Sequence, residues 1–193
     1  MSLAPGARLG SYEVLRLIGA GGMGDVYRAR DTRLDRTVAI KVLSDGFVAD
    51  ADRRARFERE ARAVATLNHP HICALHDVGE SPDPRTGQSR LFLVMEHIDG
   101  ETISDRLSTG PLPIADVMRY AAELADALDH AHRRGLVHRD LKPSNVMLTK
   151  QGAKLLDFGL SDITARIGFA ARTLDAGPLP DGFPRPRPSH RLH

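Results

Sequence analysis

At 193 residues and 41% hydrophobic content the chain is long enough to bury a core, as one domain or as two lobes. Its 27 basic and 25 acidic residues leave a formal charge of +2, which excludes an electrostatic case for nucleic acid or an anionic membrane as partner. Cys73 is the one cysteine, so a disulfide framework and a cysteine-based zinc site are excluded, and a reducing cytoplasm is the expected location.

Residues 1–11 have no apolar signal-peptide core and read as an extension. The longest aliphatic run, Leu91-Phe92-Leu93-Val94-Met95, is too short to span a bilayer, so no membrane segment is expected. Residues 12–18 alternate as a strand ending at Ile18, Gly19-Ala20-Gly21-Gly22-Met23-Gly24 forms a turn, and 25–30 return as a second strand carrying Val26. Four glycines in six positions let backbone N–H groups approach phosphates without obstruction by Cβ atoms. A dinucleotide fingerprint needs a helix directly after such glycines, whereas strands follow here. A Walker-type loop is excluded because no Gly-Lys-Ser/Thr follows.

The strand over 37–43 holds Val38-Ala39-Ile40-Lys41, one lysine among apolar residues. Either Lys41 is an edge-strand residue with its amine in solvent, or it points inward and needs a partner, because burying a lone ammonium is costly. The helix predicted over 50–67 has its apolar stripe at Phe57, Ala61, Val64 and Leu67, with Glu60 at the stripe's edge. Strands are predicted over 72–78 and 91–97 around a loop at 80–90; His69 and His71 lie in the turn before them, without a third metal ligand at suitable spacing. Met95-Glu96-His97-Ile98-Asp99-Gly100 leads out of the last of these strands. The helix over 113–134 starts beside Pro113, ends at Gly135 and spaces Val117, Ala121, Leu124, Leu128 and Ala131 along one stripe. A strand over 153–156 leads into Asp157.

The chemistry concentrates after that second helix. His138-Arg139-Asp140-Leu141-Lys142-Pro143-Ser144-Asn145, followed by Asp157-Phe158-Gly159, sets a potential base (Asp140), a cation (Lys142) and two hard-oxygen metal ligands (Asn145 and Asp157) within 18 residues. Those groups suit phosphoryl transfer from a magnesium-bound nucleotide. For each residue alone a solvated loop charge is the commoner explanation, and only their joint order and spacing reverses that. These motifs resemble the catalytic loop and metal-binding segment of the eukaryotic-type (Hanks-type) serine/threonine protein kinases found in bacteria. The resemblance covers roughly residues 12–161.

That resemblance implies an α+β protein-kinase fold: an amino-terminal lobe over 12–97, with a five-stranded antiparallel sheet and one helix, and an incomplete, mainly helical carboxy-terminal lobe over 98–165. It implies ATP and Mg²⁺ as cofactors and serine or threonine hydroxyls of a protein as substrate. Asp140 would orient the hydroxyl and accept its proton, Lys142 would offset phosphate charge, and Asn145 and Asp157 would hold the metal. Lys41 would contact the α- and β-phosphates and pair with Glu60. The glycine turn from Ile18 to Gly24 would cover the phosphates, Val26, Ala39 and Met147 would sandwich the adenine, and Met95, the Glu96 carbonyl and the Ile98 amide would form its gatekeeper and hinge. His138 would pack with Phe158, Val64 and Leu75 in a hydrophobic spine, and Arg139 would meet a phosphorylated activation segment, although Thr164 and Thr173 lack a matching context.

From 166 onward five prolines and five arginines predict a disordered tail, and the chain is expected to be truncated after Asp157-Phe158-Gly159. Its own transfer activity is then expected to be low, and the stripe on 113–134 to be exposed for self-association or a partner. A nucleotide-binding or interaction fragment without turnover, and the product of a disrupted gene, stand as alternatives.

Overall fold

The computed structural model describes residues 2–21, 24–43, 51–82, 87 and 89–158, the side chains of 51–54 and 56 excepted. The expectations for Gly22, Met23, Gly159, Thr164, Thr173 and the tail lie outside those residues.

The larger sheet forms because its strands alternate or run apolar, with turns between them. It contains β1 (Arg8–Leu9), β2 (Tyr12–Gly21), β3 (Gly24–Asp31), β4 (Arg36–Val42), β5 (Leu75–Pro82) and β6 (Ser89–Glu96), in the spatial order β1-β2-β3-β4-β6-β5, all antiparallel. Five of the strands match the predicted set. The sixth, β1, comes from the expected extension: Leu9 is buried, and Leu3 and Ala7 pack on the same apolar cluster. Two hydrogen-bonded residues carry too little periodicity to be seen in a sequence.

Strand β4 is buried on both faces, which explains its nearly continuous apolar run. Val38, Ile40 and Val42 join Phe92 and Val94 in one cluster, while Ala39 joins Leu91, Leu93 and Met95 in the other. By the two-residue period Lys41 therefore shares the face of Ala39, and it is 5% exposed. The inward reading of this lysine is the correct one. Helix α1 (Ala51–Ala65) covers that face through Phe57, Ala61 and Val64, and Leu67 follows just past its end. All four stripe residues are buried.

The second lobe contains a small sheet, β7 (Glu101–Thr102), β8 (Val146–Thr149) and β9 (Gly152–Leu155), with helices α2 (Ile103–Ser108) and α3 (Ile114–His132). Helix α2 was not expected from the sequence, yet Thr102 and Asp105 form a capping box at its start. Gly135, at φ +74°, ends the α3 region in the left-handed conformation that glycine adopts freely. The α3 stripe divides: Ala131 is buried and Leu124 and Leu128 pack on the core, together with Ala127, while Val117 is 40% exposed. Ile114 at 75% and Met118 at 66% lie exposed as well.

Segment 71–73 stitches the lobes together. Leu155 N donates to His71 O at 2.9 Å and Cys73 N donates to Leu155 O at 2.8 Å. Gly100 makes a separate close approach, because a Cβ there would overlap the backbone carbonyl of Leu148 on β8. The overlap is with backbone and not with the end of a flexible side chain, so Gly100→Ala is expected to cost about 1–3 kcal/mol of stability, the usual range for overpacking. Urea denaturation checks this; an unchanged midpoint would show that the hinge can move away from β8.

Candidate active site

The glycine turn is built on the β2–β3 hairpin. Gly19 lies opposite Val26, Ala20 opposite Asp25 and Gly21 opposite Gly24, with register shifts just before Gly19 that bend the strand. Gly24 adopts φ +126°, and a Cβ there would overlap the Val42 carbonyl, so both conformation and space require glycine. Val26 in turn lies opposite Lys41, which places the base of the hairpin beside the lysine. Ile18 is exposed within β2, just before the glycines, because the strand continues to Gly21 and does not end at Ile18 as expected. Ala39 lies opposite Met95, both buried, and Glu96 and Ile98 follow half-buried. Met147 is half-buried on β8, opposite Thr102 and Lys154.

The catalytic loop is anchored at His138, 2% exposed. Its Nε2 lies 2.8 Å from Leu156 O and its Nδ1 lies 3.3 Å from Asp140 N. The carbonyl requires an N–H and the amide requires an acceptor, so Nε2 carries the proton and Nδ1 accepts. The His138 ring packs against Phe158 with centroids 4.8 Å apart, and Phe158, Val64 and Leu75 belong to one buried cluster. The packing role of His138 is thereby supported, and it has a second role: it fixes the backbone on both sides of the site. Arg139 and Asp157 are held at φ +64° and +52°, a region that costs non-glycine residues energy and persists where surrounding contacts enforce it.

Three predicted residues converge on one oxygen. Asp140 Oδ2 accepts from Lys142 Nζ at 2.7 Å and from Asn145 Nδ2 at 2.9 Å, and the same Asn145 nitrogen donates to Asp140 O at 2.9 Å. Partial burial alone would raise the Asp140 pKa, but the hydrogen bond and charge of Lys142, then Asn145, outweigh it and hold the carboxyl below its ordinary range. At neutral pH Asp140 is therefore an anion. Asn145 N donates to Lys142 O and Leu156 N to Asn145 O, both at 2.9 Å, which ties this loop to the strand leading into Asp157.

Lys41 Nζ reaches Asp157 Oδ2 at 2.7 Å, with the two side chains 6% and 25% exposed. This corrects the expected Lys41–Glu60 pair: among the described residues no ion pair joins them, and Glu60 is half-buried on α1. The carboxylate that meets the lysine is the one on the loop entering from β9.

The donor set fits Mg²⁺. Asn145 spends its amide nitrogen on Asp140, which leaves its Oδ1 as a hard-oxygen donor, and Asp157 supplies a carboxylate. No group of three or more His, Cys, Asp or Glu residues able to hold a metal occurs among the described residues. Two protein oxygens are what Mg²⁺ uses when nucleotide phosphates complete its shell. Cavities of about 490 Å³ between α1 and β5 and about 610 Å³ beside the start of α3 contain none of the catalytic or metal-ligand candidates.

The family model described as "Protein kinase domain" matches residues 12–171, ten residues beyond the span that the motifs alone had delimited. The chain belongs to the protein kinase family. It is 44% identical over 154 residues to a probable serine/threonine-protein kinase of Streptomyces coelicolor, covering 79% of this chain and 23% of that protein. Identity to PknB of Mycolicibacterium smegmatis is 41%, covering 81% and 25%, and to PknA of Mycobacterium tuberculosis 42%, covering 88% and 37%. Among solved structures, the M. tuberculosis PknI kinase domain matches with a TM-score of 0.71 at 39% identity, covering 82% of this chain and 62% of that domain. The chain thus spans between about a quarter and somewhat over a third of the length of these curated relatives.

Sequence reasoning missed two residues beside this site. Lys154 is a partner of the Glu96 side chain, and a lone lysine in an apolar strand was the available signal. Cys73 donates its thiol to Glu96 O across 3.7 Å, and burial first, then Glu96 and Asp157, pushes its pKa up to about 12, so it remains an unreactive thiol.

Proposed function

We propose that this kinase-family chain binds Mg-ATP between the β2–β3 hairpin and the catalytic loop and transfers the γ-phosphoryl group to serine or threonine hydroxyls of a protein. The observation that carries this reading is the convergence of Lys142 and Asn145 on the anionic Asp140, with Asn145 and Asp157 left to offer oxygen to a metal. Asp140 orients the substrate hydroxyl and accepts its proton, Lys142 stands beside the forming charge, and Lys41 contacts the nucleotide's α- and β-phosphates. Mg²⁺ supplies charge neutralisation on the phosphates when it is bound by Asn145 and Asp157. Adenine recognition is assigned to the Glu96 carbonyl and the Ile98 amide, between Val26, Ala39 and Met147. Radiolabelled transfer from Mg-ATP to a serine- or threonine-containing protein tests the reading.

A second reading, nucleotide binding without turnover, is supported by Lys41 resting on Asp157 rather than on Glu60. Calorimetric Mg-ATP binding without phosphoryl transfer would select it. A cytoplasmic location is proposed on the single, free cysteine, and no helix among the described residues is long and apolar enough to cross a membrane.

The partner surface proposed on α3 rests on Ile114, Val117 and Met118, an exposed apolar face next to the stripe that packs inward. Met118→Lys is expected to shift the sedimentation distribution of the chain toward monomer. A wild-type chain already monomeric at high micromolar concentration removes this surface as a self-association site.

A further inference from the structure

Two ion pairs tie the larger sheet to the β9 strand and the residues after it. One joins Lys41 on β4 to Asp157. The other joins Lys154 on β9 to Glu96 at the end of β6, with the Lys154 ammonium 2.5 and 2.7 Å from the two carboxylate oxygens. Their placement is related by register. Lys41 lies opposite Leu93, three residues before Glu96 (96 − 93), and Asp157 lies three residues after Lys154 (157 − 154). The two pairs therefore close a ring through β4, β6 and β9, with the cation on the large sheet in one pair and on β9 in the other.

Glu96 is held within this ring from several sides. Its amide donates to Ala74 O at 2.9 Å, and its carboxylate accepts from Ala74 N at 3.3 Å as well as from Lys154. The pair is 19% exposed at Lys154 and 31% at Glu96, so solvent screens it only in part.

The two pairs respond differently to a ligand. Lys41 and Asp157 are both assigned to the metal-nucleotide, so phosphate and metal compete for their mutual bond when it binds. The Glu96 carboxylate has no such competitor, since only its backbone carbonyl is assigned to adenine. We infer that Lys154 and Glu96 are positioning residues, a standing brace that keeps Asp157 in place relative to the hinge while Lys41 exchanges partners. This inference rests on the nucleotide-binding reading above. Its physical basis is that fixing the strand that carries a metal ligand fixes where the ligand sits, and Lys154 lies on β9 three residues before Asp157.

Calorimetry on the 193-residue chain with adenosine and with Mg-ATP tests the brace. Lys154→Met is expected to weaken Mg-ATP binding roughly tenfold, the low end of losses on removing an outer-shell partner, while adenosine binding stays at the wild-type value. Lys154→Arg, which keeps a cation for the Glu96 carboxylate, is expected to hold Mg-ATP affinity at the wild-type value. Should Lys154→Met fail to fold, Lys154→Gln carries the same comparison, because it removes the charge and keeps a donor beside Glu96. Equal loss of both ligands, no loss of either, or a loss in Lys154→Arg as large as in Lys154→Met overturns the brace. A wild-type chain that binds neither ligand would instead remove the nucleotide reading itself, and the brace's role with it.

Discussion

Asp140→Asn is expected to lower phosphoryl transfer by roughly 10²–10⁴-fold relative to the wild-type chain, the range that a positioned general base contributes. The substitution preserves shape and removes charge. In the wild type the carboxylate holds Lys142 and Asn145 on one oxygen, and its pKa lies below the ordinary range, so in the proposed mechanism it is an anion ready to accept the hydroxyl proton at neutral pH. An asparagine cannot accept that proton, and its neutral amide holds the Lys142 ammonium less firmly. The loop itself should survive, because His138 fixes the backbone at residue 140 through Nδ1 and that contact does not involve the side chain. Transfer assays beside thermal denaturation check both halves. A variant that transfers phosphate at the wild-type rate would remove Asp140 from the mechanism, while a large drop in thermal stability would show that its role is structural.

Lys41→Met is expected to reduce transfer by roughly 10²–10³-fold, the loss on removing one preorganised group that meets developing charge, and to weaken Mg-ATP binding measurably. Methionine suits the site sterically, since Lys41 shares the strand face of Ala39 and lies opposite Leu93 in a buried part of the sheet. Asp157 then loses its 2.7 Å partner while a quarter of its side chain remains exposed, so solvent and not a buried void receives the freed charge. The fold should accordingly tolerate the change better than nucleotide binding does. Calorimetry with Mg-ATP decides: an affinity equal to that of the wild type would mean that Lys41 serves only to hold Asp157 in the ligand-free chain.

Much of this was legible along the chain. The strands of the larger sheet other than β1, both long helices and the catalytic loop were visible because each rests on local periodicity or on a short motif whose chemistry is complete within a few residues. Asp140, Lys142 and Asn145 lie within six residues of one loop, so their grouping could be read from spacing, while the hydrogen bonds that join them came from the structure. Strand β9 was expected over 153–156, but helix α2 and the partner strands β7 and β8 were not seen, since strands of two and four residues show no period that distinguishes them from loop.

What only the tertiary structure decided is which distant charges meet. Lys41 lay between two carboxylates, Glu60 and Asp157, separated from it by 19 and 116 residues (60 − 41 and 157 − 41), and the resemblance pointed to the nearer. The structure gives it to Asp157, because β9 is stitched to segment 71–73 and delivers that carboxylate beside β4. The Lys154–Glu96 pair arises from the same junction, 58 residues apart, with no local pattern to announce it. The division of the α3 stripe, inward at Leu124, Leu128 and Ala131 and outward at Val117, has the same origin. Periodicity reports that a helix has an apolar face, but which part of that face is covered depends on the strands packed against it, and those pairings are made across the whole chain.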